Sequence, residues 1–184
     1  MIADSTLVAS AQGGDVRAFN ELVERYQSSV YNVCLRMLGD AHLAEDCAQE
    51  AFFAAYRSIK SYRGGSFRGW LLRIAANQCY DLLRQRRRHP VDSLPEEPLT
   101  IDPEPLPEEV ALSAETIASL ESAIVQLPAD QRLCVLLIDV QGLDYEEAAQ
   151  AMEVNLGTVK SRLSRARSRL RELLRPEFRQ KDGT

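Results

Sequence analysis

Residues 144–173 read DYEEAAQAMEVNLGTVKSRLSRARSRLREL. The stretch divides into a short apolar-periodic segment, a break at Glu153-Val154-Asn155, and a longer helix. In that helix Val159, Leu163, Ala166, Leu170 and Leu173 recur at spacings of four, three, four and three, which stacks them on one stripe that a helix buries. The opposite face carries Gly157, Ser161, Ser164 and Ser168, flanked by Lys160, Arg162, Arg165, Arg167 and Arg169. Small side chains let a backbone approach closely and cations neutralise phosphate, so the pattern predicts a helix that lies in a DNA major groove. An Arg-rich amphipathic helix can equally be plain solvated surface. Asn155 tips the balance: it is placed to cap the second helix, whose N-terminal turn then offers N–H groups to a phosphate and carries the base contacts. Two short helices joined by a tight turn, the second basic, make a helix-turn-helix unit.

Outward from this unit, the 184 residues suffice for one domain or two small ones, and 45% hydrophobic content supports packed cores. No apolar run approaches the roughly 20 residues that span a bilayer. The opening MIADSTLVASAQGGD lacks a basic, apolar signal pattern, so a cytoplasmic location without membrane insertion is expected. Cys34, Cys47, Cys79 and Cys134 are widely spaced, with no CxxC pair and only two histidines in the chain. Buried structural thiols are expected rather than a metal site. The net charge of −5 would count against nucleic acid if it were uniform, but eight acidic residues and no Lys or Arg fall between Val91 and Glu115. Without that −8 the remainder carries +3, so DNA stays open as a partner.

In chain order, a first helix is expected over Ser5 to Ala11, ended by Gly13-Gly14. Asp15 caps a long helix with Phe19, Leu22, Val23, Tyr26, Val30, Val33, Cys34, Met37 and Leu38 on one stripe, and Gly39 closes it. Asp40 caps the next, about Ala41 to Ile59. Tyr62-Arg63-Gly64-Gly65 is a loop, and Ser66 caps a fourth helix reaching about Arg88 before Pro90. Residues 90–107 hold six of the eight prolines and read as an extended acidic tether. Helices resume near Ser113 and run to Gln126. Pro128 then opens another, through Cys134 and Leu137 to Val140. With no strand pattern, the expected class is all-α: a four-helix domain over 1–89, a linker over 90–112, and a smaller helical domain over 113–184 that ends in the helix-turn-helix.

Two further faces stand out. On the fourth helix Phe67, Trp70, Leu71, Ile74 and Gln78 point toward the core, while Arg73, Asn77, Tyr80 and Arg84 share another face and Arg86-Arg87-Arg88 follows. Cations interleaved with an aromatic and an amide suit a single strand whose bases stack and hydrogen-bond. On the third helix Asp46, Gln49, Glu50, Phe53 and Arg57 cluster away from Cys47, Ala51 and Ala55. Phe53 reads either as an aromatic anchor in a polar rim or as one exposed ring among charges. An enzyme built on Glu45, Asp46 and Glu50 lacks a histidine, a glycine loop and a nucleophile, and neither cofactor nor metal is expected.

Taken together, DAHLAEDCAQEAFFAAYR (40–57), SFRGWLLRIAANQCYDLL (66–83) and QLPADQRLCVLLIDVQGLDYEEAAQAMEVNLGTVKSRLSRARSRLREL (126–173) resemble the extracytoplasmic-function sigma factors of the sigma-70 family. These are the small two-domain sigma subunits of bacterial RNA polymerase. The first two segments look like the family's region 2, the third like its region 4. The resemblance implies a non-enzymatic sigma factor that directs core polymerase to promoters, binding the β′ clamp helices and β flap. Asp46, Gln49, Glu50 and Phe53 match the segment that docks on the clamp helices. Tyr62 to Ser66, with Arg63, match the loop that captures a flipped base of the −10 element. Arg73, Asn77 and Arg84 match the helix that handles the melting strand. Lys160, Ser161, Ser164 and Arg165 match positions that read the −35 element, with Arg162 on phosphate. The linker's charge is expected to mimic nucleic acid, and an anti-sigma partner is left open. Asn155 stands where relatives often carry Pro, Ala149 where they carry a bulky aliphatic residue, and Gly64-Gly65 where many place a polar side chain. A free-standing helix-turn-helix regulator and a helical adaptor without a DNA role are the competing readings.

Overall fold

The computed structural model describes residues 2–88 and 114–181, without the side chains of 114–115 and 175–181. The capping residues place the helices as expected. Helix α1 covers Asp4–Gln12. The Asp15 carboxylate accepts the amides of Arg17 and Ala18 at 2.9 and 3.4 Å and starts α2, Val16–Leu38. That helix stops at Gly39, whose φ of 69° is left-handed and whose amide bonds Leu35 O at 2.8 Å, a geometry that suits glycine. Asp40 accepts the Leu43 amide at 3.0 Å and opens α3, Ala41–Ser58. Ser66 Oγ accepts the Gly69 amide at 3.1 Å at the start of α4, Phe67–Arg88.

Helices α2, α3 and α4 pack pairwise, with α1 laid on α2. Between them Leu22, Val30, Val33, Met37, Leu71 and Leu72 are completely buried, each large aliphatic side chain contributing about 1.5–3 kcal/mol. Helix α3 presents Ala44, Ala48, Ala51 and Ala55 to this core, which draws its backbone close to its neighbours. The core also gathers three thiols that chain spacing did not foreshadow. Cys34, Cys47 and Cys79, one from each helix, have their sulfurs within 4.8 Å of one another, and Cys47 and Cys79 are 3.5 Å apart.

The second half comprises α5 (Ala114–Val125), α6 (Ala129–Val135) continuing into a π-helical turn (Leu136–Val140), α7 (Tyr145–Met152) and α8 (Leu156–Lys181). Asp144 and Glu147 form a reciprocal capping box on α7, with bonds of 2.7 and 3.0 Å. The turn between α7 and α8 passes through Glu153, the one non-glycine residue with positive φ (54°) among those described. Val159, Leu163 and Ala166 are buried, as the stripe requires, and Leu170 is half-buried. No strand occurs among the described residues, so the class is all-α. The acidic tether at 90–112 and its nucleic-acid mimicry lie outside the described residues.

The two halves pack against each other. Helix α7 packs on α4, and α5 and α6 reach α2, so that one hydrophobic cluster runs through both.

Candidate nucleic-acid and protein interfaces

Helix α8 is set by its cap. Asn155 Oδ1 accepts the Thr158 amide at 2.8 Å and the Thr158 hydroxyl at 3.0 Å, which holds the first turn open to solvent. With Val159, Leu163 and Ala166 turned into the core, Lys160, Ser161, Ser164 and Arg165 are all exposed. Lys160 lies 6.0 Å over the Tyr145 ring, and Arg165 forms no ion pair among the described residues. Arg162 and Arg167, nearer the buried stripe, are tied to Asp130 at 3.0 Å and to Asp139 at 3.1 Å. Such half-exposed pairs are worth about 0–1 kcal/mol, so a phosphate competes readily for Arg162. The exposed face thus carries small hydroxyl side chains between two cations that form no ion pair among the described residues, a composition that suits base reading.

The loop between α3 and α4 is braced rather than loose. Gln12 Nε2 donates to Ile59 O and Tyr62 O, both at 3.0 Å, and the Tyr62 hydroxyl donates to Gly65 O at 2.7 Å. Gly64 and Gly65 sit at φ of 99° and 92°, with nothing within 4 Å of an added Cβ. The turn therefore needs glycine for its backbone sign, not for room. Tyr62, Phe67 and Trp70 form an aromatic cluster with ring centroids 5.3–5.7 Å apart. Trp70, which the sequence places in the core, is half-buried in this cluster beside the loop. Arg63 is exposed.

Along α4, Asn77 and Arg84 are exposed, Arg84 pairing with Asp81 at 3.3 Å. Arg73 and Tyr80 differ from expectation. Arg73 Nη1 bonds Glu153 Oε1 at 3.2 Å, and the Tyr80 hydroxyl donates to Ala129 O at 3.4 Å, so both are engaged by the second half. Burial, with nearby Asp130, pushes the Tyr80 hydroxyl up to about 12, so it stays a protonated donor at neutral pH.

On α3, Asp46, Gln49, Glu50 and Phe53 are all exposed on one face. Phe53, 57% exposed, does not stand alone: Val16 and Tyr56 are exposed beside it. With Phe19, Val23 and Phe52 they line a groove of about 410 Å³. An apolar groove edged by the Asn20 and Gln49 amides, on a helix whose exposed face also carries Asp46 and Glu50, has a composition that suits docking.

What the sequence missed is the closure between halves. Arg36 forks onto the Glu121 carboxylate, with bonds of 2.6–3.0 Å and both side chains largely buried. Arg132 donates to Met37 O at 2.6 Å, to Leu127 O at 3.0 Å and to Val125 O, which places one cation at the carbonyl ends of α2 and α5. Arg68 bonds Gln141 at 2.7 Å. Helix α7 thereby lies beside the loop, and Tyr62, Arg63, Ser66, Trp70 and Arg73 share a cavity of about 260 Å³ with Glu147 and Gln150. Periodicity cannot reveal such pairs between the halves, because their members lie 73–95 residues apart. Glu121→Gln removes the charge from the central fork, a loss of about 1–3 kcal/mol. Amide exchange in 114–125 is expected to speed up roughly 5- to 150-fold on that basis, with α3 unchanged. Unaltered exchange in α5 would show that the pair does not hold the halves together.

These surfaces match known proteins in the same order. Residues 22–89 match the family model for sigma-70 region 2, and residues 117–170 that for sigma-70 region 4. The chain is 39% identical to the RNA polymerase sigma-H factor of Pseudomonas aeruginosa, with 96% of each protein covered. It is 38% identical to the ECF RNA polymerase sigma-E factor of Escherichia coli K12, with 97% of each covered. A 39% match to the ECF RNA polymerase sigma factor SigE of Mycolicibacterium smegmatis takes in 85% of this chain but only 62% of that protein. Among solved structures, the sigma factor RpoE in complex with the anti-sigma factor NepR from Bartonella quintana superposes with a TM-score of 0.73 at 30% identity, covering 87% of this chain and 98% of that one. CnrH in complex with the cytosolic domain of CnrY gives 0.71 at 26%, covering 95% and 99%. With both sigma regions matched in order, and near full-length identity to sigma-H and sigma-E, the chain belongs to the extracytoplasmic-function sigma factors of the sigma-70 family.

Proposed function

We propose that this chain directs core RNA polymerase to specific promoters and starts their melting, with residues 1–89 as the polymerase-binding and −10 domain, 90–112 as linker and 113–184 as the −35 domain. What supports the reading most is that one chain carries an exposed basic and hydroxyl face on α8, a braced aromatic loop followed by a basic helix, and an apolar groove beside the exposed Asp46, Gln49 and Glu50 of α3. Asp46, Gln49, Glu50 and Phe53 dock on the β′ clamp helices, and the second domain meets the β flap. Lys160, Ser161, Ser164 and Arg165 read the −35 element, with Arg162 on phosphate. Tyr62 and Arg63 hold a flipped base, while Arg73, Asn77, Tyr80 and Arg84 guide the unpaired strand.

No covalent step is required, and the chain acts as an initiation factor rather than an enzyme. Stacking a captured base on protein contributes about 1–3 kcal/mol, against about 1.4 kcal/mol given up per DNA step. A few captured bases therefore offset the opening of a bubble. Arg73 pairs with Glu153, and one side of the loop shares a cavity with α7, so opening of the closed arrangement would free both for the strand. Two of the similar structures are of complexes, one with an anti-sigma factor. An anti-sigma partner that holds the closed form, and a polymerase that opens it, fit the geometry. No helix among the described residues is long and apolar enough to cross a membrane, and action in the cytoplasm follows from the polymerase partner. Mixing the purified chain with core polymerase tests the reading: co-elution as an equimolar complex is expected on gel filtration, and separate elution would contradict it.

A further inference from the structure

Cys34, Cys47 and Cys79 stand at the centre of the first half, where promoter and polymerase contacts leave them no role. Their sulfurs lie within 4.8 Å of one another, with the Cys47–Cys79 pair at 3.5 Å. A point equidistant from three sulfurs so spaced lies roughly 2.0–2.8 Å from each, a range that contains the metal–thiolate distance of about 2.3 Å. Each thiol comes from a different helix, so the triad is a tertiary feature that α2, α3 and α4 assemble by packing. The flanking residues on those helices, Val30, Met37, Ala44, Ala51, Leu72, Ala75 and Ala76, are buried and apolar. No histidine or carboxylate joins the cluster among the described residues.

We propose that the three thiols form a trigonal site for a soft thiophilic ion, trivalent arsenic being the occupant that fits best. Two physical constraints select it. The first is ligand number. Zinc takes four ligands in closed protein sites, and only three are present, whereas soft ions that accept three thiolates need no fourth. The second is charge. Three thiolates around a monovalent ion leave two negative charges in an apolar core, and around a divalent ion they leave one. Around a trivalent centre they leave none, which avoids burying an unpaired charge. The reaction balances without a redox partner: arsenous acid, As(OH)3, exchanges its three hydroxyls for three sulfurs, and the thiol protons leave with them as three waters.

Binding would tie α2, α3 and α4 together from inside. Because all three thiols are shielded from solvent, entry awaits local opening of the bundle, so uptake is slow and quickens under mildly destabilising conditions. Cys134, buried in the second half, takes no part.

The test is incubation of the full reduced chain with arsenite, read by native mass spectrometry, by arsenic X-ray absorption and by thermal melting. One arsenic per chain, gained with loss of three hydrogens, three sulfur neighbours and no oxygen, and a raised melting temperature are expected. Cys79→Ser should remove the three-sulfur signature and the melting shift, and Cys134→Ser should leave both intact. Circular dichroism shows that each variant is folded, and Cys34→Ser gives a second reading should Cys79→Ser misfold. Absence of arsenic from the wild type, binding that survives Cys79→Ser, or a two-sulfur site would overturn the proposal. A parallel zinc arm discriminates geometry: zinc held by these thiols more tightly than arsenite would overturn the trigonal assignment.

Discussion

Asp46→Arg is expected to abolish recovery of core RNA polymerase with the tagged protein while leaving the helical circular dichroism of the chain unchanged. Asp46 is exposed, and with Gln49, Glu50 and Phe53 it follows the i, i+3, i+4, i+7 spacing of one α3 face. The core side of the same helix is made by Ala44, Cys47, Ala48, Ala51 and Ala55, so a larger side chain at 46 meets no packed neighbour. At an interface, truncating one member of a hydrogen-bonded charge pair costs about 2–5 kcal/mol, and reversing its sign adds repulsion. At about 1.4 kcal/mol per tenfold change in affinity, that is a loss beyond what a pull-down detects. Undiminished co-purification would remove α3 from the polymerase interface. The groove formed with Val16, Phe19 and Tyr56 would then need another partner.

Arg165→Ala is expected to weaken recognition by about 1–3 kcal/mol at a single upstream base pair and to relax the preference there. The reason lies in what its neighbours do. Arg162 and Arg167 on either side are tied to Asp130 and Asp139, whereas Arg165 forms no ion pair among the described residues. A cation held back from ion pairs and flanked by small side chains reaches a base edge with little side-chain rearrangement. Reporter activity across all four bases at each upstream position checks this. A uniform drop at every position would mean that Arg165 contacts phosphate instead, and unchanged specificity would remove it from the interface.

Much of this was legible in the chain because the signals were local. Asp15, Asp40, Ser66 and Asn155 cap helices through bonds to residues two or three positions ahead, and Gly39 ends one by a left-handed turn. The stripe Val159-Leu163-Ala166 is buried because the helical repeat leaves those positions no other face. The exposed state of Asp46, Glu50, Lys160 and Arg165 follows from the same repeat. What spacing could not show is what happens between distant segments. The Arg36–Glu121 fork, Arg132 on Met37 O and the capture of Arg73 by Glu153 depend on how two helical layers meet, and each half was internally consistent without them. The thiol triad was hidden for a similar reason. Cys34, Cys47 and Cys79 each sit on the apolar stripe of a separate helix, where a cysteine reads as a small hydrophobe, and only the packing of three helices sets them together.

The closed arrangement sharpens the functional account. Arg73 is paired with Glu153, and the loop shares a cavity with α7; under the proposed function, promoter binding is expected to be weak until the halves separate, and core polymerase contacting both halves is expected to drive that separation. Run-off transcription therefore tests the central claim most directly. Purified core polymerase and this protein are placed on a pool of genomic promoter fragments, and the transcript 5′ ends are mapped. Defined start sites are expected that appear only when the protein is present, share paired upstream elements at fixed spacing, and vanish with Asp46→Arg. Start sites identical with and without the protein would contradict it.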